Sequence, residues 1–455
     1  MEYLPLTNPQ KWLMNEMQKF ERPGWVTIEF MVMTKVPMDE KAMKESILYL
    51  VNKYESLRVK IISKEGQWVQ EIYPLSEADP FAAYDLSQQD QQSQKEALKE
   101  ICIQERNALL PGRGDLIRLL FFKFSENEGR IWFCMHHVIS DLVTVFIVSR
   151  EFLAIYNSII KNNVLKWHTV KDYRKWLYIV EGYCRDVLLP TELDYWLSLP
   201  WEKTRLIPTD YPDRFYNDDI VIDAIHNKRL VGTYRTANYW IDQEETSKLF
   251  SRCGAEFENI LIAVFSLAVA NCKKLDWLDI HVMNSGRSIL SPEYEVNVNR
   301  VVGYISLVRA ILLKMPAGDN LYLNIQDLIG QIKSIPNAGL GFNLIYPHIK
   351  DDALQTAFLN LRKEPILFNY LGRVDLNYGN EQCEMVEEDI GQDLYTAEIR
   401  DTLLESVIGI KKNQLFFTIN YTEAYFKAST IQEIIHSMVS ILREFTVGQV
   451  IEKVA

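Results

Sequence analysis

No two of the six cysteines (Cys102, Cys134, Cys184, Cys253, Cys272 and Cys383) stand as a CxxC pair, and all are widely scattered. That scatter excludes a dense disulfide framework and fits reduced thiols, mostly core filler, in a cytoplasmic protein. Positive charge is also short. The chain carries 49 Lys and Arg against 61 Asp and Glu, a formal net charge of −12. Sequence-independent nucleic-acid binding needs the opposite balance; a local basic patch for a protein partner stays compatible with it. The N-terminus lacks a basic region leading into an apolar stretch, so no signal peptide is expected. The longest strongly apolar run, Ile260 to Ala270, is too short to span a bilayer and reads as a buried helix. No membrane span is therefore expected. There is no internal repeat, P-loop, dinucleotide fingerprint or GxSxG elbow, which removes several large enzyme classes.

What is present is an alternation of strands and helices in both halves. A length of 455 residues exceeds one ordinary core and suggests two domains. In the first half, Asn8–Phe20, Asp39–Lys53 and Ser87–Leu109 have helical spacing. Trp25–Thr34 reads as a strand, and Leu57–Ile62 pairs with Trp68–Tyr73 around Ser63–Gly66. The segment from Asn162 to Trp196 is expected to bridge to the second half, and Pro200–Lys228 reads as a long acidic loop. Beyond it, strands are expected at Leu230–Ile241, Ile280–Met283, Pro365–Tyr370 and Leu415–Tyr421. Val301–Ser306 and Val308–Leu313 read as extended. Helices are expected at Gln243–Cys253, Phe257–Cys272, Leu321–Ile335 and Thr430–Phe445. The class is α/β, with strands and helices layered as sandwiches.

One stretch concentrates the chemistry. Leu116–Phe124 and Arg130–Met135 form a hairpin across the turn-rich Ser125–Gly129. His136 and His137 follow at the strand's end. From Leu142 the spacing turns helical through Val145, Phe146, Ser149, Leu153 and Tyr156, with Asp141 at the N-cap. Neighbouring strand residues point to opposite faces, so one histidine should face a cleft and the other the packed side. A neutral imidazole can accept a proton from a nucleophile near pH 7; a satisfied structural histidine is the competing reading, and both stand on the residues alone. No third His, Cys or carboxylate lies nearby at ligand spacing, so no metal site is expected.

His136-His137-Val-Ile-Ser-Asp141 resembles the HHxxxDG signature of condensation domains of nonribosomal peptide synthetases, with Leu142 in place of the final Gly. Pro5–Trp12, Glu55-Ser-Leu-Arg58, Asp172-Tyr-Arg-Lys-Trp176 and Leu193-Asp-Tyr-Trp196 resemble further family motifs in family order, so the likeness covers essentially the whole chain. The resemblance implies two chloramphenicol-acetyltransferase-like α/β sandwich lobes in a V, residues 1–180 carrying the His motif and 181–455 completing a cleft. It implies a tunnel where His137 meets a substrate presented on the phosphopantetheine arm of a peptidyl or acyl carrier protein. The acceptor would be a small molecule or a second carrier-bound group, no cofactor would be bound by the chain itself, and the protein would be monomeric. It further implies that Asp141 is structural and pairs with Arg287 of Asn284-Ser-Gly-Arg287, an arginine from the other lobe. No carrier-protein serine motif or adenylation segment is present, so the chain reads as a single catalytic unit, free-standing or excised from a synthetase.

The subclass is ambiguous. Asn299–Tyr304, Gly339-Leu-Gly341-Phe342 and Leu367–Asp375 resemble epimerization domains. Those domains pair the second His with a Glu near the Arg motif, yet His281-Val-Met-Asn-Ser-Gly-Arg287 holds none. Glu293 and Glu295 are the nearest carboxylates. Three readings stand. The first is condensation, forming an amide or ester with His137 (and its neighbour His136) as the catalytic pair. The second is epimerization of a carrier-bound aminoacyl group. The third is a noncatalytic domain that recruits a partner protein. Tyr304, Ser306 and Asn369 are candidates to line the cleft, each with an ordinary structural role as the alternative.

Overall fold

A computed structural model of the chain describes residues 3–17, 23–204, 206–211, 233–288, 296–361, 366–375, 383–391 and 402–452. Two compact units emerge. One comprises Met1–Gly182, Ser285–Ser306 and Leu376–Tyr395; the other comprises Tyr183–Asn284, Leu307–Asp375 and Thr396–Ala455. The division is not a single cut near residue 180. Two later segments return to the first unit, and one of them carries Arg287.

In the first unit, β1 (Tyr3–Pro5), β3 (Val59–Lys64) and β4 (Gln67–Ile72) form a small sheet in the order β1-β4-β3. The main sheet contains β2 (Thr27–Thr34), β5 (Phe81–Asp85), β6 (Ile117–Lys123), β7 (Gly129–His136) and the returning β12 (Cys383–Val386). Their order is β12-β2-β7-β6-β5. Only β5–β6 is parallel; the expected hairpin is the antiparallel pair β6–β7. All of β7 is buried, as its unbroken apolar run predicts for a strand covered on both faces. Of its alternating side chains, Trp132 and Cys134 pack with Leu98 and Cys102 of the helix Gln91–Ala108. Phe133, on the opposite face, meets Phe152 edge-on at 5.2 Å. Phe152 belongs to the helix Leu142–Ile160.

The helices are α1 (Asn8–Met17), α2 (Glu40–Lys53), α3 (Gln91–Ala108), α4 (Leu142–Ile160) and α5 (Asp172–Tyr183). Asp39, Asp90 and Asp141 each cap a helix N-terminus by accepting backbone N–H bonds; of these caps only Asp141 was expected.

The second unit holds β8 (Tyr234–Ile241), β9 (Trp277–Asn284), β10 (Leu307–Lys314), β11 (Ile366–Arg373), β13 (Leu404–Lys411) and β14 (Gln414–Thr422). Their order is β10-β9-β11-β13-β14-β8, with β11 parallel to both neighbours and the other pairs antiparallel. Helices α6 (Leu189–Ser198), α7 (Gln243–Cys253), α8 (Phe257–Lys273), α9 (Leu321–Ser334), α10 (Gly341–Ile345), α11 (Asp352–Leu359) and α12 (Ala428–Glu452) complete it. From Ile260 to Ala270, α8 is buried throughout, as expected for a core helix. By length and composition alone, Leu142–Ile160 and Gln243–Lys273 would also be long and apolar enough to cross a membrane; here both supply core residues such as Phe152 and Phe265.

One expectation changes. Val301–Ser306 is not a strand, because side chains rather than a neighbouring strand take up its backbone groups. The central strand β13 carries no expectation above; only pairing with β11 and β14 makes its short, Gly409-interrupted run a strand. Of the long loop Pro200–Lys228, residues 212–228 lie outside the described residues.

Candidate active site around His137

The turn after β7 engages backbone groups of His136, His137, Val138 and Ser140 in hydrogen bonds. His137 N–H donates to Val26 O at 2.6 Å, and Ser140 N–H donates to His137 O at 3.2 Å. Ser140 Oγ donates to His136 O at 3.0 Å. Val138 N–H donates to His136 Nδ1 at 3.1 Å, and Val138 O accepts from Gln10 Nε2 at 2.7 Å. A turn satisfied in this way has little freedom to re-aim its side chains.

The two histidines separate as the strand alternation requires. His136 is fully buried. Since Nδ1 accepts from Val138, the proton sits on Nε2, which donates to Pro23 O at 3.1 Å. Burial pushes its imidazolium down to about 3 against the pull of the Pro23 carbonyl. His136 is therefore a neutral structural clamp, and its grouping with His137 as a catalytic candidate is corrected.

His137 keeps part of its surface exposed, while its Nδ1 is enclosed and has no partner of hydrogen-bonding geometry among the described residues. Enclosure lowers its pKa; the backbone carbonyls of His137 and Ser140 and the charge of Asp141 pull the other way. A neutral ring with Nδ1 enclosed leaves Nε2 to exchange a proton. The Tyr304 ring lies beside it, centroids 4.5 Å apart and tilted by 55°. Burial pushes the Tyr304 phenol up, so it stays protonated.

Asp141 and Arg287 meet as the resemblance implies. Arg287 Nη1 donates to Oδ2 at 2.9 Å and Nη2 to Oδ1 at 3.1 Å, with Asp141 1% and Arg287 8% exposed. Both residues belong to the first unit, so the expectation that the arginine comes from the other lobe is corrected: Ser285–Ser306 returns to the first unit. The carboxylate also accepts from Thr144 N–H at 2.7 Å and Ser306 Oγ at 3.3 Å. Arg287 donates further to Ser285 O at 2.8 Å and Val301 O at 3.0 Å. A bidentate buried pair of this kind is the geometry in which arginine excels.

The strip Val301–Ser306 is thereby tied down residue by residue. Besides the Arg287 and Asp141 bonds, Val302 O accepts from Ser56 Oγ at 2.6 Å. Thr144 Oγ1 donates to Gly303 O at 2.9 Å and accepts from Gly303 N–H at 3.0 Å. Gly303 has φ +150°, and a Cβ there would stand 2.5 Å from the Tyr173 ring, so only glycine fits. The motifs at Glu55–Arg58 and Asp172–Trp176 thus act on this strip through Ser56 and Tyr173. Thr144, Gly303 and Gln10 were not among the sequence candidates. An alternation of small polar residues carries no signal that they meet across more than 100 positions.

Of the cleft-lining candidates, Tyr304 and Ser306 are brought to His137 and Asp141 respectively. Asn369 stands in β11 of the second unit, opposite Val407. Glu293 and Glu295 lie outside the described residues. Leu142 begins α4, half-buried and with no positive φ, so replacing the signature glycine strains no backbone. Among the described residues, no group of three or more His, Cys, Asp or Glu could hold a metal ion.

The fold and this His–Asp–Arg arrangement define an α/β protein of the chloramphenicol-acetyltransferase-like class. The family model for the condensation domain matches residues 1–448, and the chain belongs to that family. It is 23% identical over 449 residues to one of the linear gramicidin synthase subunits of Brevibacillus parabrevis, covering 97% of this chain and 8% of that protein. It is 22% identical over 448 residues to gramicidin S synthase 1 of Brevibacillus brevis, covering 95% and 39%. The chain therefore spans well under half of these relatives. Among solved structures, it is similar to the epimerization domain from the third module of tyrocidine synthetase B, at TM-score 0.81 and 20% identity over 98% of each chain. It is also similar to the first condensation domain of the calcium-dependent antibiotic synthetase in complex with a substrate analogue. There the TM-score is 0.69 and identity 14%, covering 98% of this chain and 97% of that one.

Proposed function

We propose that the chain catalyses condensation-type acyl transfer. A carrier-bound acyl or aminoacyl thioester is joined to an amine, or a hydroxyl, during synthesis of a nonribosomal peptide or related secondary metabolite. The observation that carries this reading is His137, a neutral, part-exposed imidazole with Nδ1 enclosed, on a turn whose backbone is hydrogen-bonded at His136, His137, Val138 and Ser140. The pantetheine arm and its carrier are part of the substrate. A neutral amine attacks the thioester carbon while Nε2 of His137 accepts the N–H proton. The tetrahedral intermediate then collapses, the C–S bond breaks and the departing thiolate takes the proton back. Asp141 and Arg287 act as structure, holding the strip that carries Tyr304 beside the ring. Six free thiols support a cytoplasmic setting.

Likeness in fold favours a second reading, epimerization of a carrier-bound aminoacyl group, since that neighbour's TM-score is the higher of the two. Removing and returning an α-proton from opposite faces needs a second acid–base group. The stretch His281–Arg287 supplies no carboxylate for it, which weighs for condensation.

One experiment separates the readings. Aminoacyl-loaded carrier is incubated with the protein, with and without an acceptor, and both products and α-carbon stereochemistry are followed. Acceptor-dependent amide or ester that disappears with His137→Ala supports condensation. Racemised donor without acceptor supports epimerization, and neither product together with tight carrier binding leaves a noncatalytic domain.

A further inference from the structure

We infer that Tyr173, through Gln10, is a positioning residue for His137, setting the turn behind the imidazole and the strip beside it at once; this rests on the reading of His137 just given. Tyr173 lies on α5, far from β7 in the chain, and is 5% exposed. Its hydroxyl donates to Gln70 Oε1 at 3.1 Å and accepts from Gln10 Nε2 at 3.1 Å. Gln10, with no exposed surface, uses the same amide nitrogen to hold Val138 O at 2.7 Å, one residue past His137. Its Oε1 accepts Thr7 N–H at 2.9 Å, and Gln70 Nε2 donates to Pro5 O at 2.7 Å. The amides are thus oriented from both ends, and the Tyr173 hydroxyl joins them.

The ring of the same tyrosine closes on the other side. Its Cε2 stands 2.5 Å from where a Gly303 Cβ would be. Gly303 is pinned from the opposite direction by Thr144 Oγ1 through both of its backbone groups. The next residue is Tyr304, whose ring rests against His137. Tyr173 therefore acts on two short backbone segments that converge on one imidazole, reaching the first through Gln10, which its hydroxyl bonds, and meeting the second directly with a ring edge. Buried, fully satisfied networks hold geometry better than isolated bonds do, and sub-ångström placement of a proton acceptor matters to rate.

Two variants test this: Tyr173→Phe, which keeps the ring and removes the hydroxyl, and Gln10→Met, which keeps the length and removes the amide. Each is measured three ways: melting temperature, turnover per folded molecule, and the imidazole 15N titration of His137, assigned by its loss in His137→Gln. The expected result is turnover lowered roughly tenfold at unchanged KM. The His137 titration midpoint should also rise toward the ordinary 6.5 as the loosened turn admits water. Unchanged midpoint and turnover in both variants, even with a lower melting temperature, would mean the network only packs the unit and would overturn the inference. The titration needs no substrate. A shifted midpoint in a protein without transferase activity would uphold the positioning role while the functional reading fails.

Discussion

Removing one partner of the Asp141–Arg287 pair should be among the most damaging single changes in the first unit. The pair is bidentate, and both side chains are at most 5% exposed. Asp141→Ala leaves the guanidinium buried with only neutral partners, the carbonyls of Ser285 and Val301 and the Thr144 hydroxyl, which costs about 3–5 kcal/mol. It also removes the α4 cap on Thr144 N–H, worth about 1 kcal/mol more. In a unit of roughly 200 residues, each kcal/mol moves the melting temperature by about 2–4 °C, so a fall of roughly 8–24 °C is expected. Arg287→Ala should cost a similar amount, less the cap. The double replacement should be far milder than the sum of the two, because neither charge is then left alone. Differential scanning calorimetry on the three variants reads this directly. Single variants that melt within 2 °C of the parent, or losses that simply add, would refute the claim that the two charges stabilise each other.

His136 should impose acid sensitivity. Unfolded, it titrates near 6.5; folded, it is held at about 3. Between those values the unfolded chain binds the extra proton, so the stabilisation is intact above about 6.5 and falls with pH, by roughly 3 kcal/mol at pH 4.5. His136→Gln should flatten that slope in denaturant titrations, and parallel curves would contradict it. Gly303→Ala forces a methyl to within 2.5 Å of the Tyr173 ring at φ +150°. It should cost at least about 2 kcal/mol in thermal melts, and a neutral result would show that the strip can move. Tyr304→Ala removes the ring beside His137 and should lower turnover about tenfold, near 1.4 kcal/mol of barrier, whereas Tyr304→Phe should stay close to the parent. An equal loss in Tyr304→Phe would assign the work to the hydroxyl.

Much of the site was legible because its signals are local. The β6–β7 hairpin, the Asp141 cap and the helical spacing of α4 depend on neighbours within a few residues, and strand alternation already required His136 and His137 to face apart. Arg287 was found through the family's pattern, not through any property of its loop. What stayed hidden depends on distant contacts. Gln10 meets Val138 and Tyr173 across 128 and 163 positions, and no periodicity reports that. Val301–Val302 with Tyr304-Ile305 looks like a strand by composition. Gly303 and the side chains of Ser56, Thr144 and Arg287 make it a tethered strip instead. The return of Ser285–Ser306 and Leu376–Tyr395 to the first unit was hidden for the same reason: each is too short to announce where it packs.

The account turns on whether the His137 imidazole handles the nucleophile's proton. The most direct measurement is single-turnover product formation from acyl-loaded carrier and a fixed acceptor, in the parent and in His137→Ala, across pH 5 to 9. The parent should form acceptor-dependent product at a rate that declines only below the ordinary imidazole range, since enclosure lowers the pKa of this ring. His137→Ala should lose at least about a hundredfold in rate while still binding the carrier. Product formed at the parent's rate by His137→Ala would contradict the account.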